Sequence, residues 1–300
     1  MATPRHMAGL ARRAARTVPV AWALFLVLAV TAIAWGGTSR RLAEANEARR
    51  VGRVRQALEG YREVLAELGD RKLPGQEADL RLHALRSAAD VCYLELGDFT
   101  QAVHYYRRIV ALYPGTGEAL QARSLMGDIY LERMGDRVGA IAQWEAIASS
   151  EAPEAASFQL KVAKAYLDLG NFEQARTEAR IARERWAGSP VADEALLLIA
   201  QAWTLERRNR EAESSFEALL ERRPPSELAA QALAGQAQLA AQEGKFERAI
   251  DLYHRALDAH PNPETIRFAI DRVRERRHRA QPTVRPGDRT TAFDHAQSIP

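Results

Sequence analysis

The sequence predicts an all-α protein in which helical hairpins stack in a row. A long phrase is repeated, because Gly97–Pro114 and Gly244–Pro261 share Gly, aromatic, Ala, Tyr and Pro at the same relative positions. A small Ala recurs six times along the chain at intervals of 35 to 45 residues, and an aromatic side chain follows five of these six Ala residues at a distance of four. Self-similarity at this period is typical of helical repeat proteins.

The repeated Ala marks the second helix of each hairpin. It stands at Ala57, Ala102, Ala140, Ala175, Ala212 and Ala249. The residues four positions later are Tyr61, Tyr106, Trp144, Ala179, Phe216 and Tyr253. Residues four apart lie on the same helix face, so the Ala allows the helices to approach closely and the aromatic ring fills the space beside it.

A turn residue precedes each repeated Ala by five positions. These residues are Gly52, Gly97, Gly135, Gly170, Arg207 and Gly244. Glycine suits a tight turn between two helices because it tolerates a positive φ, and Pro114, Pro224 and Pro261 end three hairpins because proline cannot continue a helix. One hairpin cannot bury its apolar face alone, so we expect neighbouring hairpins to form a continuous core.

This pattern resembles the tetratricopeptide repeat family over residues 40–262. The resemblance implies a right-handed superhelical solenoid of about six helix-turn-helix repeats. Arg207 departs from the family's turn glycine, and Ala179 departs from its aromatic position. Phrases such as YPGTGEALQAR look like periplasmic members of the family, which implies a membrane-anchored protein of the bacterial envelope. An irregular helical bundle is the alternative fold.

The N-terminus combines a short basic tail, residues 1–17, with an apolar run over residues 18–35 that carries no charge. Eighteen helical residues span about 27 Å, which is enough to cross the hydrocarbon core of a bilayer. We therefore predict an uncleaved transmembrane helix that acts as a signal anchor. A signal peptide cleaved near Ala34, with secretion of the repeats, is the alternative.

The orientation of this helix is predicted from its flanking arginines. Arg5, Arg12, Arg13 and Arg16 precede it without any acidic residue, which favours a cytoplasmic N-terminus. Because other arginines follow the run at residues 40 and 41, the opposite orientation stays open. We expect a single-pass protein of the bacterial inner membrane with its repeats in the periplasm; cytoplasmic repeats are the alternative.

The segment after the last repeat predicts a capping helix over residues 263–281. Ile266, Ala269, Ile270 and Val273 give it an apolar stripe at helical spacing, and such a helix covers the exposed side of a final hairpin. Its basic end, RVRERRHR, is interpreted as a solvated helix end, and contact with nucleic acid or anionic lipid is the alternative. Residues 282–300 lack periodicity and are predicted to be disordered.

The sequence offers no argument for catalysis, for a cofactor or for a metal site. Its single cysteine, Cys92, excludes a disulfide within the chain and is predicted to be a buried small side chain. The sequence contains no HExxH motif, phosphate-binding loop, dinucleotide fingerprint or nucleophile elbow. We therefore predict that the protein is not an enzyme and binds no small-molecule substrate.

The resemblance to the repeat family implies that a partner protein lies against inward-facing positions of the first helices. These positions are Glu95, Asp128, Glu132, Lys164, Asp168, Gln201, Gln238 and Gln242. The row is acidic in its first half and neutral in its second, so the expected partner is a neutral to basic protein or peptide segment. Phosphate would be repelled, which disfavours nucleic acid. The alternative is a solvated surface without a ligand.

The predicted function is that of a membrane-tethered scaffold or adaptor for protein–protein interactions in the bacterial envelope. A translocon-associated or periplasmic chaperone-like accessory protein is the second hypothesis, because it would bind unfolded chains in the same groove. A regulator of an envelope enzyme is the third.

Overall fold

The computed structural model describes residues 36–280, and all regular secondary structure in this range is helical. These residues form thirteen α-helices and one π-helical turn, without a β-strand in this range. The predicted all-α class is therefore confirmed for the described chain. Consecutive helices pair into six hairpins, and a final single helix follows the last of them.

The helices of the hairpins alternate as first and second helices. The first helices are α1 (36–50), α3 (Gly75–Asp90), α5 (Gly117–Glu132), α7 (Ala155–Asp168), α9 (Pro190–Leu205) and α11 (Ser226–Gln242). The second helices are α2 (Val54–Leu68), α4 (Phe99–Leu112), α6 (Arg137–Ala148), α8 (Phe172–Arg185), α10 (Asn209–Glu221) and α12 (Phe246–Leu257). The π-helical turn Val91–Leu96 extends α3, and α13 (Pro263–Ala280) ends the described chain.

The described chain divides into two compact units, residues 36–143 and residues 144–280. The first unit holds α1 to α5 and the beginning of α6, and the second unit holds the remaining helices. Within the second unit, α9 packs against α7, α8, α10 and α11. Within each unit, neighbouring helices thus contact one another in chain order, from α2 to α5 and from α7 to α13, as expected for a stack of repeats.

The turn within a hairpin needs a left-handed residue, and the predicted glycines supply it. The five turn glycines have φ between 67° and 78°, and Arg207 adopts the same conformation with φ of 59°. In the fourth hairpin the N–H of Asn171 donates to the carbonyl of Tyr166, five residues earlier, at 2.9 Å. In the second hairpin the N–H of Asp98 donates to Cys92, six residues earlier, at 2.8 Å, because the π-helical turn accommodates one extra residue.

The repeated Ala and aromatic positions form the core. All six Ala residues are at most 2% exposed, and the five aromatic residues are at most 7% exposed. Where the aromatic is missing, at Ala179, the rings of Trp186 and Trp203 pack against the same cluster of small side chains. The packing inferred from the repeat is therefore confirmed, and the missing ring is replaced by rings from elsewhere in the second unit.

Buried tyrosines of the first unit satisfy their hydroxyl groups within the stack. Tyr61 donates to the Asn46 side chain at 2.8 Å, and Tyr106 donates to the Asp90 carboxylate at 2.8 Å. Burial raises the pKa of the Tyr106 hydroxyl, and the hydrogen bond to Asp90 raises it further. These bonds fix the second helix of a hairpin against the first, because a buried hydroxyl without a partner would be costly.

The final helix α13 covers the apolar side of the last hairpin. Ile266, Ile270 and Val273 are 3 to 4% exposed and share one core cluster with Leu252 of α12 and Ala237 of α11. Three of the four residues in the stripe expected from the sequence are thus buried, and Ala269 is partly buried against them. The helix completes the core that the last hairpin would otherwise leave exposed.

None of the helices described between residues 36 and 280 is both long enough and apolar enough to cross a membrane. The transmembrane helix predicted over residues 18–35 lies outside the described residues. The same holds for the basic tail at residues 1–17, the possible cleavage site near Ala34 and the predicted disordered tail at residues 282–300.

Candidate binding groove

The first helices of the second unit line a groove that consists of three adjoining cavities. Helices α7, α9 and α11 contribute to its walls, and α13 closes one end. We name the cavities the first cavity, the central cavity and the basic cavity. Gln201 and Gln231 line both the first and the central cavity. Thr204, Leu205 and Gln238 line both the central and the basic cavity.

The first cavity has a volume of about 800 Å³ and carries charges of both signs. Lys161 and Lys164 project from α7, Glu194 from α9, and Glu227 comes from α11. The Nζ atom of Lys161 lies 4.3 Å from the centre of the Trp144 ring. The Glu194 side chain is exposed, but the surrounding walls desolvate its carboxyl and raise the pKa of that group. The charges balance, so this cavity has no preference for one sign of ligand.

The central cavity, about 490 Å³, is lined mainly by apolar and uncharged polar side chains. Three amides, Gln201, Gln231 and Gln238, face it, and none of them has a hydrogen-bond partner within residues 36–280. Its only titratable groups are the Tyr253 hydroxyl and the His260 imidazole. An amide can both donate and accept, so this row can pair with the N–H and C=O groups of an extended peptide.

The basic cavity has a volume of about 570 Å³ at the other side of the central cavity. Its charged lining residues are Arg207, from the turn between α9 and α10, and Arg276, from α13. Uncharged amides complete its wall at Asn209, Gln238 and Gln242. No carboxylate lines this cavity, so its charge is positive.

Close packing behind the groove holds α9, α10 and α11 in place. At Gly235 of α11, a Cβ atom would lie only 2.2 Å from the ring of Phe216 in α10, so only glycine allows this approach. The guanidinium of Arg176 stacks 3.6 Å from the centre of the Trp203 ring and pairs with Glu206. Arg176 is buried, and this pair therefore links α8 to the end of α9.

The structure places five of the eight predicted groove residues in the second unit. Lys164 lines the first cavity, Gln201 the first and central cavities, Gln238 the central and basic cavities, and Gln242 the basic cavity. Asp168 is exposed at the end of α7 and does not line any of these three cavities.

The three acidic predicted residues, Glu95, Asp128 and Glu132, belong to the first unit. The carboxylate of Glu95 accepts a hydrogen bond from Nε of Arg49 at 2.6 Å, so its charge is already balanced within the protein. Asp128 is half-buried in α5, and Glu132 is exposed at the end of that helix.

Sequence reasoning missed the basic cavity and the charge balance of the first cavity. Arg207 was recognised as a departure from the turn glycine but not as a lining residue, and Arg276 was included in a solvated helix end. Lys161 and Glu194 were not selected. The unusual arginine at the turn was the one signal in the sequence. Within residues 36–280 no cluster of His, Cys, Asp and Glu could hold a metal ion.

Two family models described as tetratricopeptide repeat match the chain. One matches residues 129–190, 160–209 and 205–262, and the other matches residues 89–116. Together they cover more than half of the sequence. Among curated proteins, none matches this chain.

Several solved structures are similar to the chain. A tetratricopeptide repeat protein from Parabacteroides merdae ATCC 43184 is 14% identical, with a TM-score of 0.42 over 79% of this chain and 98% of that one. PilW, a type IV pilus biogenesis factor, is 17% identical, with a TM-score of 0.45 over 78% of this chain and 98% of that one. The apo form of RapI is 16% identical, with a TM-score of 0.53 over 81% of this chain and 72% of that one.

At this identity, the similarity to RapI concerns the fold alone. The repeat itself agrees with the family models: its turn residues adopt the left-handed conformation, its Ala and aromatic positions are buried, and the models match residues 89–116 and 129–262. The chain belongs to the tetratricopeptide repeat proteins.

Proposed function

We propose that this protein is a membrane-tethered adaptor that holds an extended segment of a partner protein in the groove of its second unit. The central cavity carries the proposal, because Gln201, Gln231 and Gln238 present three unpartnered amides between apolar walls. Gln201 and Gln231 are half-buried and Gln238 is exposed, so a partner can reach all three amides, and a peptide backbone supplies donors and acceptors in a row.

The shape of the groove favours a peptide over a small metabolite. Four helices, α7, α9, α11 and α13, contribute to its walls. The three cavities follow one another along α9, from Pro190 in the first cavity to Leu205 in the basic cavity, and at 1.5 Å per residue this stretch extends over about 23 Å. An extended chain covers about 3.3 Å per residue, and the groove thus accommodates about seven residues of a partner.

The expected partner is neutral where it meets the central cavity. This agrees with the neutral half of the sequence-based expectation. A basic partner was expected from Glu95, Asp128 and Glu132, but Glu95 is paired with Arg49 and the basic cavity would repel a cation. We therefore assign the neutral segment to the second unit and do not extend the proposal to a basic one.

Site-specific photocrosslinking tests the groove. A benzoylphenylalanine in place of Leu205, which is 55% exposed and lines two of the cavities, should form an adduct with a partner in cells that express the chain natively. The same residue in place of Ile181, which is 41% exposed on α8 and lines none of the three cavities, is the matched control. Equal adducts at both positions, or an adduct only at residue 181, would contradict the groove proposal.

The substitutions Gln201→Ala and Gln238→Ala, combined, add a second arm to this experiment. They remove two amides without adding charge or bulk, so the adduct at residue 205 should weaken while the helical circular dichroism is unchanged. An undiminished adduct would show that the amides do not hold the partner.

A chaperone-like accessory is the second candidate function. The uncharged central cavity favours it, because backbone recognition by amides is independent of the partner's sequence. The two functions differ in selectivity. The Leu205 adduct of an adaptor should contain one partner, identified by mass spectrometry, whereas that of a chaperone should contain many chains and should increase when unfolded clients accumulate.

We propose that residues 18–35 tether the repeats to the bacterial inner membrane, with the N-terminus in the cytoplasm and the repeats in the periplasm. The proposal rests on the uncharged apolar run and on the arginines before it. Alkaline phosphatase fused to the C-terminus should be active in membranes. If only a fluorescent reporter that works in the cytoplasm gives a signal at this position, the repeats are cytoplasmic and the proposed orientation is wrong. A soluble fusion protein shortened near Ala34 would show cleavage.

A further inference from the structure

The basic cavity contains two guanidinium groups that no carboxylate balances. Neither Arg207 nor Arg276 has an ion pair or a side-chain hydrogen bond within residues 36–280, and Arg276 only stacks over the Phe246 ring at 5.6 Å. The nearby acids are engaged elsewhere. Glu206 pairs with Arg176, Glu211 with Arg208 and Glu243 with Lys245.

The backbone at Arg207 provides an independent observation. In the five other hairpins this turn position is a glycine with positive φ, whereas Arg207 has a side chain and still adopts φ of 59°. A left-handed conformation destabilises the protein when the residue is not glycine. Glycine would form this turn without strain, so the turn does not require the arginine, whose side chain lies on the wall of the basic cavity.

We propose that the basic cavity binds acidic side chains of the partner segment that occupies the central cavity. The ligand is then a short stretch in which an uncharged part adjoins two adjacent Asp or Glu residues. Two carboxylates match the two guanidiniums, each of which can form a pair of parallel hydrogen bonds with a carboxylate. The amides of Asn209, Gln238 and Gln242 supply further polar contacts around them.

This inference deepens the proposed function and rests on it. It also fixes where the acidic residues of the bound segment lie, because the basic cavity lies at only one side of the central cavity. They lie between the turn that carries Arg207 and α13, and the uncharged part extends along α9 and α11 toward Gln201 and Gln231. At the other end, the first cavity carries two lysines and two glutamates and sets no such preference.

Two matched peptides test the inference on the full-length chain. Both are fluorescein-labelled, have an amidated C-terminus and share an uncharged stretch of Ala, Leu and Gln; one ends in two Glu residues and the other in two Gln residues. In fluorescence anisotropy the acidic peptide should bind about tenfold more tightly at low salt. The difference should shrink as salt is added, because the cavity is open to solvent.

Three variants separate charge recognition from folding. Arg207→Gly should reduce the preference for the acidic peptide about fivefold while keeping or raising the thermal stability, because glycine relieves the strained turn. Arg276→Gln should reduce the preference similarly. Arg223→Gly is the control: Arg223 also has a positive φ, of 54°, but lines none of the three cavities, so its removal should leave the preference unchanged.

The outcomes distinguish this inference from the adaptor proposal. Equal affinity for the two peptides, or failure of both to bind, would overturn the acidic ligand, whereas the adaptor proposal would still depend on the Leu205 adduct. A Gln peptide with a free C-terminal carboxylate that binds as tightly as the amidated Glu peptide would assign the cavity to a chain terminus. An equal loss of preference in Arg207→Gly and Arg223→Gly would refute the role of the cavity.

Discussion

The contact between Gly235 and Phe216 gives the sharpest test of the packing that builds the groove. A Cβ at residue 235 would meet ring carbons of Phe216 at 2.2, 2.6 and 2.8 Å, compared with 3.4 to 4 Å for an ordinary contact. Gly235→Ala therefore requires a displacement of more than 1 Å. The ring is 2% exposed and packs in a cluster with Ala212 and Leu219, so the only space into which it can move is the central cavity, which it also lines.

The expected magnitude is the difference of two opposing effects. Overpacking a core costs about 1–3 kcal/mol, whereas replacing a helical glycine by alanine gains up to about 1 kcal/mol. Because the contact is far below van der Waals distance, we expect Gly235→Ala to lose about 2 kcal/mol of the free energy of unfolding. Phe216→Leu removes the outer ring carbons, so the double variant should lose at least about 1 kcal/mol less than the sum of the single variants.

Urea unfolding followed by tryptophan fluorescence measures this effect in the correct part of the molecule. The tryptophans within residues 36–280 are Trp144, Trp186 and Trp203, and all three lie in the second unit. Gly117→Ala, at an open position of the first unit, is the control and should leave this transition unchanged. An unchanged midpoint for Gly235→Ala, or strictly additive effects with Phe216→Leu, would refute the reasoning.

Three further predictions concern other described residues. Desolvation raises the pKa of the Cys92 thiol from 9.0 to about 11. The buried neutral thiol therefore contributes its full stability below pH 9, and this contribution is lost as the pH rises toward 11. The urea midpoint should fall over this pH range, and it should fall less in Cys92→Ala. Asp98→Ala removes the cap of α4 and should cost about 1 kcal/mol in urea unfolding, with Asp98→Asn nearly neutral. Arg176→Ala leaves Glu206 unpaired and should lower the thermal midpoint more than Arg208→Ala does, because Arg176 is buried and Arg208 exposed.

The repeat was predictable because every hairpin has the same packing and turn requirements. Close approach requires a small residue, the space beside it requires a ring, and the turn requires a left-handed residue; Ala102, Tyr106 and Gly97 show all three. The π-helical turn was not predictable. Tyr93 precedes Gly97 by the same four residues that separate Tyr166 from Gly170, and only the hydrogen bond from Asp98 to Cys92 reveals the extra residue.

Part of the groove followed from the repeat and part did not. The family resemblance selected Lys164, Gln201, Gln238 and Gln242 because they occupy inward positions of first helices, and the structure places all four on cavity walls. The boundary of the two units after Gln143 falls inside α6, where the sequence shows no break. Likewise, tertiary packing alone brings a turn residue and a residue of α13 to one cavity, so periodicity could not indicate it.

The two departures from the repeat have different physical meanings. At Ala179 the missing ring is replaced within the protein, because Trp186 and Trp203 pack against the same cluster, so the exchange is explained by packing alone. At Arg207 the strained backbone is retained and its guanidinium forms no ion pair or hydrogen bond within residues 36–280. Arg223 is left-handed and unpaired in the same way within the described chain but lines none of the three cavities, so the position of Arg207 on the wall of the basic cavity, and not the strain alone, indicates a ligand. The predicted result for Arg207→Gly, a more stable protein with a weaker preference for acidic peptides, is what this explanation requires and what a purely structural role would not produce.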